Sequence, residues 1–125
     1  MSRVAVVQAA PVVFNRDRTL EIVADWTREA ASAGAKLVLF PEAFVPGYPK
    51  GLDFGARVGM RTAAGRDDYL RYWDSAVDVP GPSVDRLGAI AKKHSVHLVI
   101  GVIERSAGTM YCTVLFFDPE GQLLG

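Results

Sequence analysis

Leu37-Val38-Leu39-Phe40-Pro41-Glu42-Ala43-Phe44-Val45-Pro46-Gly47-Tyr48-Pro49 joins an apolar run to a loop that no sheet or helix can continue, because prolines and a glycine interrupt the backbone ladder. The reading is a strand with a carboxylate at its tip. In open α/β sheets the sheet holds such a strand rigid while the loop leaving it is free to carry chemistry, which makes Glu42 the first candidate functional residue. The ordinary reading of a loop glutamate, a solvated surface charge, is favoured when nothing else is known.

Upstream, Val4 to Gln8 is a short β-branched run expected to form a buried strand. Asn15 or Asp17 caps the helix that follows. From Thr19 to Ala33 the residues Leu20, Val23, Trp26, Ala30 and Ala33 recur at helical spacing, Glu21, Asp25 and Arg28 share another face, and Gly34 stops the helix. This strand-helix-strand unit predicts that Val4–Gln8 and Leu37–Phe40 lie parallel and adjacent.

Downstream, Lys50 to Ala64 is irregular, and with Gly51, Gly55, Gly59 and Gly65 it reads as an excursion from the core. That glycine spacing resembles a membrane dimer motif, but Asp53, Arg57 and Arg61 exclude the reading on polarity. Arg57, Arg61, Arg66 and Arg71 are interleaved with Asp67 and Asp68, which describes a solvated mixed face better than an anion site. Arg66 to Ser75 is expected to be a short helix. After Val79-Pro80-Gly81-Pro82, Ser83 is placed to cap a helix to His94 with an apolar stripe of Val84, Leu87, Ile90 and Ala91; Lys92, Lys93 and His94 complement the negative end of its dipole. Val96 to Ile103 and Met110 to Phe117 are apolar enough for buried strands, and the short link between them predicts an antiparallel hairpin. Gln122 to Gly125 begins a further strand.

Composition limits the function classes. At 125 residues, 50% hydrophobic and 22% charged, the chain has the make-up of a single globular domain, and no segment reaches the ~18 apolar residues of a membrane span. Lys+Arg and Asp+Glu are 14 each, without the basic excess by which phosphate backbones are held, so nucleic acid is not an expected partner. The start has no secretory pattern and there is one cysteine, which together predict a soluble, cytoplasmic protein. That thiol, Cys112, lies in an apolar strand and is expected to be a buried hydrophobe rather than a nucleophile. His94 and His97 lack ligand spacing to it or to carboxylates, so no metal is expected, and the phosphate-binding glycine fingerprints are absent. No cofactor is implied.

The run from Leu37 to Pro49, with its Pro-Glu-Ala-Phe core and Pro-Gly-Tyr-Pro tail, resembles the first signature of the nitrilase branch of the carbon–nitrogen hydrolases. Val4 to Pro11, Tyr72-Trp73-Asp74 with Val79 to Pro82, and Tyr111 to Phe117 resemble further pieces of that family in the same order. The resemblance implies an α/β fold in which a mixed sheet, with helices on one face, is the N-terminal portion of an α-β-β-α sandwich. It makes residues 1–125 the N-terminal part of one nitrilase domain. It also implies hydrolysis of a small organic nitrile to a carboxylic acid and ammonia by a glutamate, a lysine and a cysteine. Glu42 matches the glutamate as general base, and its proline and aromatic neighbours are expected to desolvate it. The lysine and cysteine belong downstream of the segment that Met110–Gly125 resembles. Tyr48 is a candidate for lining the substrate pocket, with packing as its alternative. Lys50 to Tyr72 falls where nitrilases carry an insertion that joins dimers into spirals, so it is expected outside the core and in homo-oligomer contacts. Related amide hydrolysis or cyanide hydration is the alternative chemistry, and an inactive assembly fragment is the alternative from another class.

Overall fold

β-Branched and apolar runs form four strands, β1 (Val4–Val6), β2 (Leu37–Leu39), β3 (His97–Ser106) and β4 (Thr109–Phe117), hydrogen-bonded in the order β1-β2-β3-β4. A computed structural model describes residues 2–55 and 61–125 of the chain. β1, β2 and β3 run parallel, with Val4 opposite Leu37 and Leu37 opposite His97. β4 returns antiparallel through Ala107 and Gly108, both at positive φ (47° and 83°), the geometry that two-residue hairpin turns require. The parallel β1–β2 pair and the antiparallel β3–β4 hairpin are those expected from the lengths of the links; the β2–β3 pair joins them into one sheet.

Three helices complete the order: α1 (Arg16–Ser32) between β1 and β2, then α2 (Ala63–Ser75) and α3 (Pro82–His94) before β3. Asn15 caps α1 by accepting from the Arg18 amide at 3.1 Å. Thr62 does the same for α2 through the Gly65 amide, so that helix begins three residues before the expected Arg66. α3 departs from expectation at its start. Pro82 occupies the first turn and Gly81 the cap position with no side-chain bond, while Ser83 is buried inside the helix.

Alternation divides the sheet into two faces with different surroundings. Val38, Leu98, Ile100, Val102, Leu115 and Phe117 meet Leu20 and Val23 of α1 and Val84, Leu87, Ile90 and Ala91 of α3 in the main core. The stripe read for α3 is the buried one. That for α1 is rotated: Thr19 and Thr27 are buried while Trp26 and Ala33 face out, and the Thr19 hydroxyl is hydrogen-bonded to the backbone of Val12 and Asn15, a burial that a purely apolar count does not register.

The opposite face is largely uncovered. Val4 and Val6 are 56% and 67% exposed, and Leu39, Val114 and Phe116 are exposed with them. The expectation of fully buried strands is thus corrected for β1 and β4, and with it the burial of Cys112. Cys112 pairs with Ile103 on this face and is exposed, since β4 contributes only its other face to the helices.

A second, smaller cluster joins Ala43, Tyr72, Ala76 and Ile103, with Phe14, Phe54 and Met110 packed on it. Lys50 to Asp53 lie outside the core as expected, but Tyr72 does not; it is 7% exposed, and Phe54 stacks on its ring at 5.8 Å. Arg57 and Gly59 fall outside the described residues. Beyond α2, Val77 pairs with Glu104 of β3, and Arg105 anchors that junction by donating two bonds to Asp78 at 2.8 and 2.9 Å. These bonds hold the Asp78 carboxyl below the usual carboxylate range.

Candidate active site

The edge of β3 that β2 occupies is shared by three segments in succession. β2 pairs along His97 to Val99, Val45 with Val102, and Val77 with Glu104. Between the first two, the chain leaves the ladder and rejoins it. The Phe40 amide donates to Val99 at 2.8 Å, the Gly101 amide to Pro41 at 3.2 Å, the Val45 amide to Gly101 at 3.2 Å, and the Ile103 amide to Val45 at 2.8 Å. Glu42, Ala43 and Phe44 form the bulge between those bonds, which aims consecutive side chains in different directions. Phe44 enters the main core against Phe40, with ring centroids 5.2 Å apart. Ala43, at φ 49°, buries its methyl in the Tyr72 cluster. Glu42 is left exposed.

The expected desolvation of Glu42 does not occur among the described residues. Phe40 and Phe44 point into the core, and Pro41 is exposed beside Glu42. The backbone is fixed and the carboxylate is open, a geometry suited to a base that meets groups arriving from elsewhere. Tyr48 also lies open, 64% exposed, while Pro46, Gly47 and Pro49 around it are buried. Gly47 is at φ 100°, and a Cβ there would lie 3.1 Å from Pro11 and 3.2 Å from Val13, so the loop is pressed onto the segment leading to α1. Tyr48 and Cys112 are near enough to Tyr72 to act on its hydroxyl electrostatically, though burial of the ring is the main cause that pushes it up to about 12. Among the described residues no group of three His, Cys, Asp or Glu is placed to hold a metal. No helix among them is long and apolar enough to cross a membrane.

The sequence pattern of the carbon–nitrogen hydrolases matches residues 3–125. The chain belongs to the carbon–nitrogen hydrolase family. Within it, the chain is 54% identical over 98% of its length to a bifunctional nitrilase/nitrile hydratase of Nicotiana tabacum, and 52% identical over 98% to nitrilase 3 of Arabidopsis thaliana. It spans 35% and 36% of those proteins. Among solved structures it is similar to an amidase from Nesterenkonia sp., with a TM-score of 0.68 at 23% identity, covering 99% of this chain and 41% of the amidase. That likeness shows the α/β fold.

Two features of the site were missed by sequence reading. Gly101 carried a signal, a glycine inside an otherwise unbroken apolar strand, which marks a bulge or a close backbone approach. The grouping of Phe14, Phe54 and Tyr72 around Ala43 carried none, because it joins three separate stretches of chain.

Proposed function

We propose that this chain is the N-terminal part of a nitrilase, that Glu42 is its general base, and that the substrate is a small organic nitrile. The observation that carries the reading is the exposed carboxylate of Glu42 on a backbone fixed to the end of a central strand; identity above 50% to proteins named nitrilases supports it. In this mechanism Glu42 takes the proton of a cysteine thiol supplied downstream. The thiolate attacks the nitrile carbon, forming a C–S bond as one C–N π bond becomes a nitrogen lone pair, which a downstream lysine stabilises and protonates. Water adds to the resulting thioimidate, ammonia departs, and a second water releases the carboxylic acid from the thioester. Loss of the thiol in place of ammonia gives the amide, so the partition at one tetrahedral intermediate separates nitrilase from nitrile hydratase products. The reading also includes a cytoplasmic homo-oligomer with contacts through residues 50–72. Exposed Tyr69 and Leu70, beside a groove of about 630 Å³ that also meets Phe54 and Trp73, support those contacts.

Glu42→Gln in the full-length enzyme tests the base. The amide keeps the shape but cannot accept the proton, so turnover should fall by roughly 10²–10⁴-fold with a smaller change in KM. Ammonia, acid and amide quantified together report rate and partition. Near-normal turnover by a folded Glu42→Gln enzyme would sink the assignment, and amide as the sole product would replace nitrile hydrolysis with hydration.

A further inference from the structure

Gly101 lies in the centre of β3, buried, and turned toward the sheet face opposite α1 and α3. It is not among the glycines at positive φ, so its backbone conformation is open to any L residue. What forbids a side chain there is proximity. A Cβ on Gly101 would lie 2.6 Å from the Glu42 Cα, 2.6 Å from the Ala43 nitrogen and 2.6 Å from the Pro41 oxygen, distances that real Cβ atoms do not show. All three contacts are backbone atoms of the bulge, which cannot swing aside as a side-chain tip could. The backbone that carries Glu42 therefore rests directly on the sheet at Gly101.

The same bulge is also held at Ala43. Ala43 adopts φ 49°, a region non-glycine residues occupy only when their surroundings hold them there. Its methyl is fixed between Tyr72, Ala76 and Ile103. Two hydrogen bonds complete the attachment, Gly101 amide to Pro41 oxygen and Val45 amide to Gly101 oxygen, both at 3.2 Å. Glycine at 101 thus serves as donor, acceptor and contact surface for one short bulge, and the carboxylate leaves the sheet at that point.

We propose that Gly101 is a positioning residue for Glu42: its missing side chain lets the Pro41–Ala43 backbone seat on β3, and a methyl there displaces the carboxylate from its working position. The inference rests on the proposed role of Glu42 as the base. Displacements on the order of an ångström at a reacting group cost rate far more than binding, about a hundredfold in the less forgiving cases.

The test compares Gly101→Ala, Ala43→Gly and Glu42→Gln in the full-length enzyme, measuring kcat, KM and the pH dependence of active-site thiol alkylation by iodoacetamide. Gly101→Ala should lower kcat roughly ten- to a hundredfold while KM moves less than about threefold. Its alkylation profile should shift in the same direction as that of Glu42→Gln, which a purely structural role would not produce. Should Gly101→Ala fail to fold, Ala43→Gly decides. It removes the fixed methyl and tolerates the positive φ, and a loss of kcat of at least about threefold supports the seat. Unchanged kcat and alkylation profile in a folded Gly101→Ala enzyme, or unchanged kcat in Ala43→Gly when Gly101→Ala does not fold, overturns the inference. An inactive Glu42→Gln beside a fully active Gly101→Ala removes the positioning alone, whereas an active Glu42→Gln removes the base and the seat together.

Discussion

Tyr72 links the candidate site to the pH response of the fold. Burial first, and then Cys112 and Tyr48, push its hydroxyl from the ordinary 10.0 up to about 12. A raised folded-state value means that the neutral phenol is favoured in the fold. The stability it contributes is fully present below pH 10.0 and is lost as pH rises toward about 12. In the full-length protein, melting temperature should fall across that alkaline window more steeply for the wild type than for Tyr72→Phe. Ultraviolet titration should show a late-titrating phenol that Tyr72→Phe removes. Parallel melting curves and unchanged titration would show that the ring is not held as described. At this scale legibility was uneven. The exposed place of Glu42 beyond the end of β2 was legible because a proline-flanked carboxylate after an apolar run is a local pattern. Tyr72 could not, because its burial depends on Phe14 and Phe54, each remote in sequence, and a tyrosine on an exposed-looking helix carries no mark of such partners.

α2 has two working faces. Its inner one contributes Gly65, Tyr72 and Ser75 to buried positions; its outer one leaves Tyr69 and Leu70 exposed. Gly65 is there because the helix passes against the Phe54 carbonyl, where a Cβ would lie 2.0 Å from the oxygen. Leu70→Glu should therefore leave the fold nearly untouched, within about 0.5 kcal/mol as is usual for exposed positions. If residues 50–72 join copies, the same change should reduce particle size in light scattering, because a carboxylate would be introduced into an apolar contact. Full-sized particles from a folded Leu70→Glu protein would place the contact elsewhere. The existence and order of the four strands and three helices were legible, since periodicity and turn chemistry are properties of neighbouring residues, but the further strand expected from Gln122 amounts to one antiparallel bridge between Leu123 and Phe117. Helix starts were less so. Thr62 caps α2 where the sequence predicts a start at Arg66, and Gly81 stands at the cap position of α3 where it predicts Ser83, because a cap is decided by backbone geometry as well as by side-chain type.

The whole molecule has one sheet face covered by α1 and α3 and one open, and this asymmetry explains the misplaced Cys112. An apolar strand announces that it will be buried, but not by which part of a protein. Val4, Val6, Leu39, Val114 and Phe116 form an apolar surface on the open face, of the kind that soluble proteins cover with further structure or with partners. The chain spans 35% of its tobacco relative, and on the proposed reading of it as the N-terminal part of a nitrilase, the rest of that protein would cover this face as the second sheet of a sandwich. Cys112 reports on this without disturbing it, because its thiol lies on that face beside Ile103. A maleimide added to the 125-residue chain should modify Cys112 as readily as an unfolded control, whereas in the full-length enzyme the Cys112 peptide, resolved by mass spectrometry from any other cysteine, should label at least about a hundredfold more slowly. Burial by a packed sheet makes labelling wait for local opening, and each tenfold of protection corresponds to about 1.4 kcal/mol of opening free energy. Equal labelling in both proteins would mean that the open face stays open and that the sandwich is built differently. Protection already present in the short chain would mean that copies of it cover one another, and protein concentration would then set the labelling rate.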